Sequence, residues 1–201
     1  MATEGTENHR KKVRRGQARK NVFKTFKVMY NNVRGIKSKE EVLQRIISEE
    51  NPVIMAVGET KLNKGDWLKE IDGYVIKRND RDADGGGVMM VYKKSLSNII
   101  TTVRKYKEHD CEALWMKIDN GVIKIRIGVI YMPQESRTLL EDIKSIYKAI
   151  AEEVKMATEN DEKLLIMGDL NCKVGLEIKN NKEEVSKGGR ELLKLVNQHS
   201  L

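Results

Sequence analysis

The run Leu164-Leu165-Ile166-Met167-Gly168-Asp169-Leu170-Asn171 constrains the fold more than any other stretch of the chain. Four consecutive large apolar residues leave no polar face, which is the pattern of a strand covered on both sides in an α/β sandwich. Such a strand carries polar side chains only where it emerges at the rim, and that places Asp169 and Asn171 there. The two have the same parity there and are expected to point to the same side. An acid able to hold or deprotonate a water would then stand beside an amide able to donate to a phosphate oxygen. A strand running into an Asp/Asn turn explains the same letters, so the rest of the sequence has to decide.

At 201 residues and 39% apolar content, the chain can bury a sizeable core and is expected to form one domain. No run is long and apolar enough to cross a membrane, and no hydrophobic segment follows the polar, basic first residues. No membrane partner or secretion is expected; the expected location is nuclear, with the cytoplasm as the alternative. Cys111 and Cys172 are far apart and lack C-x-x-C spacing, which points to two reduced, partly buried thiols rather than a zinc site or a disulfide.

The net charge of +8 is concentrated at one end. Residues 1–27 hold nine Lys/Arg and two Glu, leaving 29 Lys/Arg against 28 Asp/Glu for residues 28–201. Residues 1–22 are therefore expected to form a basic tail, disordered when free, that binds nucleic acid or serves as a nuclear address. A purely solubilising tail fits the composition equally well. The domain proper is expected over 23–201.

Alternation from Phe26 to Tyr30 predicts a first strand ending at Asn31-Asn32. Ser38-Lys39-Glu40-Glu41 has the form of a capping box. Val42, Leu43, Ile46 and Ile47 follow at helical spacing until Asn51-Pro52. Val53 to Val57 reads as a second strand with Glu59 just beyond it. A β-α-β unit makes these strands neighbours and brings Asn32 and Glu59 to one rim. In the middle, turn signals at Asp84-Gly85-Gly86-Gly87 and Asp119-Asn120-Gly121 predict antiparallel hairpins. Leu114, Met116 and Ile118 alternate on one strand; Ile123, Ile125, Ile127, Val129 and Tyr131 alternate on the next. Residues 136–157 carry apolar side chains at helical spacing. A last helix is expected around Gly189 to Gln198, with Leu192, Leu193 and Val196 on its apolar face.

Polar residues thus end four strands: Asn32, Glu59, Tyr131, and the Asp169/Asn171 pair. Singly, each has a plain structural explanation as a turn, a solvated loop residue or a core tyrosine. Together, and in this order, Asn31-Asn32-Val33-Arg34-Gly35-Ile36, Gly58-Glu59-Thr60-Lys61, Ile130-Tyr131-Met132-Pro133 and Gly168-Asp169-Leu170-Asn171 resemble the motifs of the endonuclease/exonuclease/phosphatase family, the DNase I-like fold. The run 168–175, with Gly189-Arg190-Glu191-Leu192-Leu193 after it, is most similar to the nuclease domain of non-LTR retrotransposon polyproteins and to craniofacial development protein 2-like relatives. The resemblance covers about residues 24–201.

The resemblance implies an α/β fold, a four-layer sandwich of two mixed β-sheets packed face to face with helices outside. It also implies nicking of DNA that depends on Mg²⁺ or Mn²⁺. Metal would fall to Glu59 and Asn32, water activation to Asp169, phosphate contact to Asn32 and Asn171, and hydrogen bonding to the phosphoryl oxygens to Asn171 and Tyr131. DNA would bind through the active-site face and the basic tail. The family's closing Asp and Ser-Asp-His motif have no counterpart in the 201 residues, and His9, His109 and His199 lack that context. The expectation is a domain incomplete at its C-terminus, lacking strands of the second sheet, with an exposed sheet edge, and hydrolysis by the isolated chain is less expected than its fold. Arg34 stands where many relatives carry Asp or Asn. A phosphatase or RNA exonuclease of the same fold, and a non-catalytic nucleic-acid-binding remnant, are the alternatives.

Overall fold

The computed structural model describes residues 27–81, 85–175 and 185–201. The expected tail over 1–22 and the start of the first strand at Phe26 lie outside these. In chain order the elements are β1 (Val28–Asn32), α1 (Glu40–Glu50), β2 (Ile54–Gly58), β3 (Tyr74–Asn79), β4 (Val88–Lys93), β5 (Ile100–Glu108), β6 (Cys111–Asp119), β7 (Lys124–Tyr131), α2 (Leu140–Glu159), β8 (Lys163–Asp169) and α3 (Lys187–His199). They form two four-stranded sheets, ordered β1-β2-β4-β3 and β5-β6-β7-β8. Each sheet is mixed: β1 runs parallel to β2 and β7 parallel to β8, while β2–β4, β3–β4, β5–β6 and β6–β7 are antiparallel. The β-α-β unit and the hairpins expected from the sequence are present.

The alternation along each strand becomes a layered core. Ile54 and Ala56 of β2, Val88 and Met90 of β4, Leu114, Met116 and Ile118 of β6, and Ile125, Ile127 and Val129 of β7 fill the space between the sheets. The opposite face of the second sheet, with Ala113, Trp115 and Ile130, packs on Ile143, Ile146, Tyr147, Ile150 and Val154 of α2 and on Leu195 of α3. Gly128 makes room there, since a Cβ at this position would lie 2.5 Å from the Trp115 ring. The opposite face of the first sheet packs Met55, Val57, Met89 and Val91 on Leu43 and Ile47 of α1. The result is the expected helix–sheet–sheet–helix sandwich.

Three local expectations are corrected. Ser38 does not cap α1; Lys39 occupies the cap position without a side-chain capping bond. Glu41, which a capping box opened by Ser38 would turn back on the helix start, instead lies 3.8 Å from the Lys69 ammonium, and Glu40 accepts from the Lys69 backbone N–H at 3.1 Å. On α3 the inward stripe is Leu192 and Leu195, and Leu193 points outward. The β8 run is apolar on both faces, with Leu165 and Met167 toward the inter-sheet core and Leu164 and Ile166 toward α2 and α3, yet it is only half-buried. The cause is its place at the edge of its sheet among the described residues.

Candidate active site

Four columns of side chains run through the inter-sheet core and reach the same rim. Val28 and Tyr30 lead to Asn32 on β1, and Ile118, Met116 and Leu114 to Glu112 on β6. Ile125, Ile127 and Val129 lead to Tyr131 on β7, and Leu165 and Met167 to Asp169 on β8. Each column is apolar until its last position because only there does the side chain leave the packed interior. Register sets the neighbours: Asn32 lies opposite Gly58, the residue before Glu59, while Tyr131 lies opposite both Asp169 and Glu112.

A hydrogen bond joins the end of β1 to the end of β8 at this rim. Asn32 Nδ2 donates to Asp169 Oδ2 at 3.0 Å, across 137 residues of sequence. The other oxygen, Asp169 Oδ1, accepts from the Asn171 backbone N–H at 3.0 Å, so both carboxylate oxygens are oriented. Asn32 Oδ1 accepts from the Arg34 N–H at 3.1 Å, closing a small turn. The equal-parity expectation for Asp169 and Asn171 fails, because β8 ends at Asp169 and Asn171 is left-handed at φ 44°. Asn171 nevertheless lines the same cleft, where its Nδ2 donates to the Met132 carbonyl at 2.7 Å. That cleft, of about 490 Å³, is lined by Tyr30, Asn32, Asp169, Asn171 and Cys172 among others.

Backbone strain collects here. Of the non-glycine residues at positive φ, Arg34, Glu59, Lys61 and Asn171 sit around this rim, with φ of 49°, 54°, 54° and 44°. Such conformations persist only where the surroundings impose them. The loops after β1 and β2 are zipped together: the Val33, Gly35 and Ile36 N–H groups donate to the Gly58, Glu59 and Thr60 carbonyls. The Thr60 and Lys61 N–H groups donate in turn to Gly87 and Gly86. Gly168, at φ 153°, has no room for a side chain because a Cβ would collide with the Ile130 carbonyl. The Glu59 carboxylate is 18% exposed and pairs with Lys61 Nζ at 3.2 Å.

Sequence reasoning missed three groups. The Tyr30 hydroxyl is buried without a hydrogen-bond partner and presses on Gly58, where a Cβ would lie 2.5 Å from it. Burial first, then the nearby Asp169 and Glu59 carboxylates, push its phenol up to about 12, so it stays a neutral donor. Glu112 is fully buried and paired with Arg81, whose Nε lies 2.5 Å from Oε1; Arg81 also lies over the Tyr131 ring, 5.9 Å from its centroid. Extending the β6 alternation back one period would have found Glu112. Nothing local marks Arg81. The two histidines among the described residues take no part: His109 pairs with Asp142 of α2 at 2.9 Å, and His199 ends α3. Both cysteines are free, Cys111 buried and Cys172 half-buried at the cleft.

Among the described residues no three His, Cys, Asp or Glu side chains gather closely enough to cage a metal. That excludes a closed zinc-type site from those residues. The donors on the rim are oxygens: the Glu59 carboxylate, the Asn32 amide and the Asp169 carboxylate. Such a set fits Mg²⁺, which takes one or two carboxylates and keeps most of its waters. The Lys61 ammonium beside Glu59 shows a cation already held at that carboxylate.

Residues 32–181 match the sequence pattern of the Endonuclease/Exonuclease/phosphatase family. The chain belongs to this family. Solved structures share the fold of the family member described here. An AP endonuclease from Leishmania major is 17% identical, with a TM-score of 0.65 over 87% of this chain and 66% of its own. A 3′ phosphatase, NExo, from Neisseria, solved with a product DNA hairpin, is 12% identical, with a TM-score of 0.62 over 86% of this chain and 71% of its own. An AP endonuclease from Archaeoglobus fulgidus is 15% identical, with a TM-score of 0.61 over 87% and 71%. The chain therefore spans about two thirds of the length of these proteins. No curated protein sequence matches it.

Proposed function

We propose that the chain is a divalent-metal-dependent phosphodiester hydrolase that nicks DNA, of the type found in non-LTR retrotransposons. The observation that carries this reading is the Asn32–Asp169 hydrogen bond. It draws the ends of two separate sheets into one polar rim beside Glu59 and Tyr131. Of the similar structures, two are described as AP endonucleases and a third as a 3′ phosphatase bound to a product DNA hairpin.

Glu59 and Asn32 would hold Mg²⁺ or Mn²⁺, which when bound supplies neutralisation of the charge that builds on the phosphoryl oxygens. Asp169 orients the attacking water and accepts its proton. Its two hydrogen bonds from Asn32 and Asn171 fix the direction in which the carboxylate's remaining lone pairs point. Tyr131, with its phenol raised by burial and then by Glu59, stays protonated and donates to a phosphoryl oxygen. Asn171 has one amide hydrogen committed to Met132 and a second left to give. DNA enters through the rim, and the basic residues before Lys27 add non-specific attraction to phosphates.

A labelled duplex carrying a 3′ phosphate, incubated with the chain and Mg²⁺ or Mn²⁺, tests the reaction class. Internal cuts support the nickase reading. Loss of the terminal phosphate alone, or stepwise shortening, would replace it with the phosphatase or exonuclease alternative of the same fold.

A further inference from the structure

The pair Arg81–Glu112 beneath the rim is more elaborately built than a structural ion pair needs. Glu112 is completely buried and grips Arg81 through both oxygens, Oε1 to Nε at 2.5 Å and Oε2 to an Nη at 3.1 Å. Oε2 also accepts from the Gly87 N–H at 3.1 Å. A Cβ at Gly86 would collide with the Glu112 carboxylate and with Arg81, and Gly86 and Gly87 are both at positive φ, so the glycine run is fitted around the pair. Burying two charges is costly even when they are paired, and apolar replacements commonly do as well for stability. Glu112 lies directly opposite Tyr131 in the β6–β7 register, on the same face of the sheet. The guanidinium it holds, 13% exposed, lies over the Tyr131 ring.

Resting on the reading of Tyr131 as a donor to phosphoryl oxygen, we propose that Arg81 is the positioning residue for that tyrosine: gripped by Glu112, it fixes the ring at the rim and sets a stationary positive charge over it. A cation over a phenol ring draws electron density from it and strengthens the hydroxyl as a donor. Burial and the Glu59 carboxylate push the Tyr131 phenol up, and Arg81 is the group that opposes them. Arg81 does not touch the reacting atoms; its effect passes through Tyr131. Lysine at this position keeps the charge but loses the planar, two-point grip on Glu112.

The test is a double-mutant cycle on the full chain, with kcat and KM measured for Mg²⁺-dependent cleavage of a duplex oligonucleotide. Arg81→Lys is expected to lower kcat about tenfold with KM changed less than about twofold, and to cost less than about twofold when Tyr131→Phe is already present. Equal losses in both backgrounds, or a loss confined to KM, would overturn the role of Arg81 while leaving the hydrolase reading in place. A folded wild-type chain with no cleavage overturns that reading and this role together. If Arg81→Lys does not fold, the double substitution Arg81→Met/Glu112→Leu removes both buried charges and allows the same comparison.

Discussion

Asp169 is the side chain on which the proposed chemistry turns, and its surroundings say how a substitution should act. Asp169→Ala removes the water's acceptor and frees Asn32 from its bond across the sheets, so cleavage should fall by about 10²–10⁴-fold while the fold persists. Gel quantification of nicked product, with circular dichroism as the folding control, checks this. Gly168→Ala is expected to act through stability instead. It forces a side chain into the Ile130 carbonyl at φ 153°, which should cost about 3 kcal/mol or more in urea unfolding. At this scale the rim positions of Asn32, Tyr131 and Asp169 were legible in the sequence because each ends an apolar stretch in a polar residue. Arg81 was not, because its meaning comes from Glu112, thirty-one residues further on. The aim of Asn171 was misread because parity arguments stop where the strand does.

Between elements, a second buried charge network ties β7 to α2 and to the residue before β8. Arg126 is 4% exposed and pairs with Glu153 at 2.6 Å and Glu162 at 2.7 Å. Arg126→Met leaves two buried carboxylates without this partner and should destabilise the chain by about 3–5 kcal/mol. The network also has a pH signature. Burial alone would raise the Glu162 carboxyl, but hydrogen bonds from Lys117 and Arg126 outweigh it and hold the group below its ordinary value. A carboxyl depressed in the folded state contributes stability above its unfolded pKa and loses it as pH falls through the folded one. Acid unfolding of Glu162→Gln should therefore show a shallower loss of stability below about pH 4 than the parent chain. A steeper or unchanged loss would contradict the assignment. Element identities followed from period, since strands alternate and α1 and α2 repeat at helical spacing. The cap of α1 did not, because the cap position falls on Lys39 and both Glu40 and Glu41 face Lys69, a contact that the local sequence does not encode.

For the molecule as a whole, the rim is a property of the sandwich rather than of any one segment. Asn32 and Glu59 come from one sheet, Tyr131 and Asp169 from the other, and both sheets must pack before the site exists. The basic tail is separable from that body in sequence. Deleting residues 1–22 removes seven Lys/Arg and should reduce the slope of log affinity against log salt for DNA, by up to about 6 if each cation meets a phosphate. An unchanged slope would assign DNA attraction to the body alone. The measurement that bears most directly on the composite rim as a hydrolytic site is nicking of supercoiled plasmid by the purified full chain with Mg²⁺. It is run beside EDTA and beside Asp169→Ala. Relaxed circles that appear with the parent chain and vanish in both controls are the predicted result; a folded parent chain that leaves the plasmid supercoiled, or nicking that survives Asp169→Ala, would contradict it.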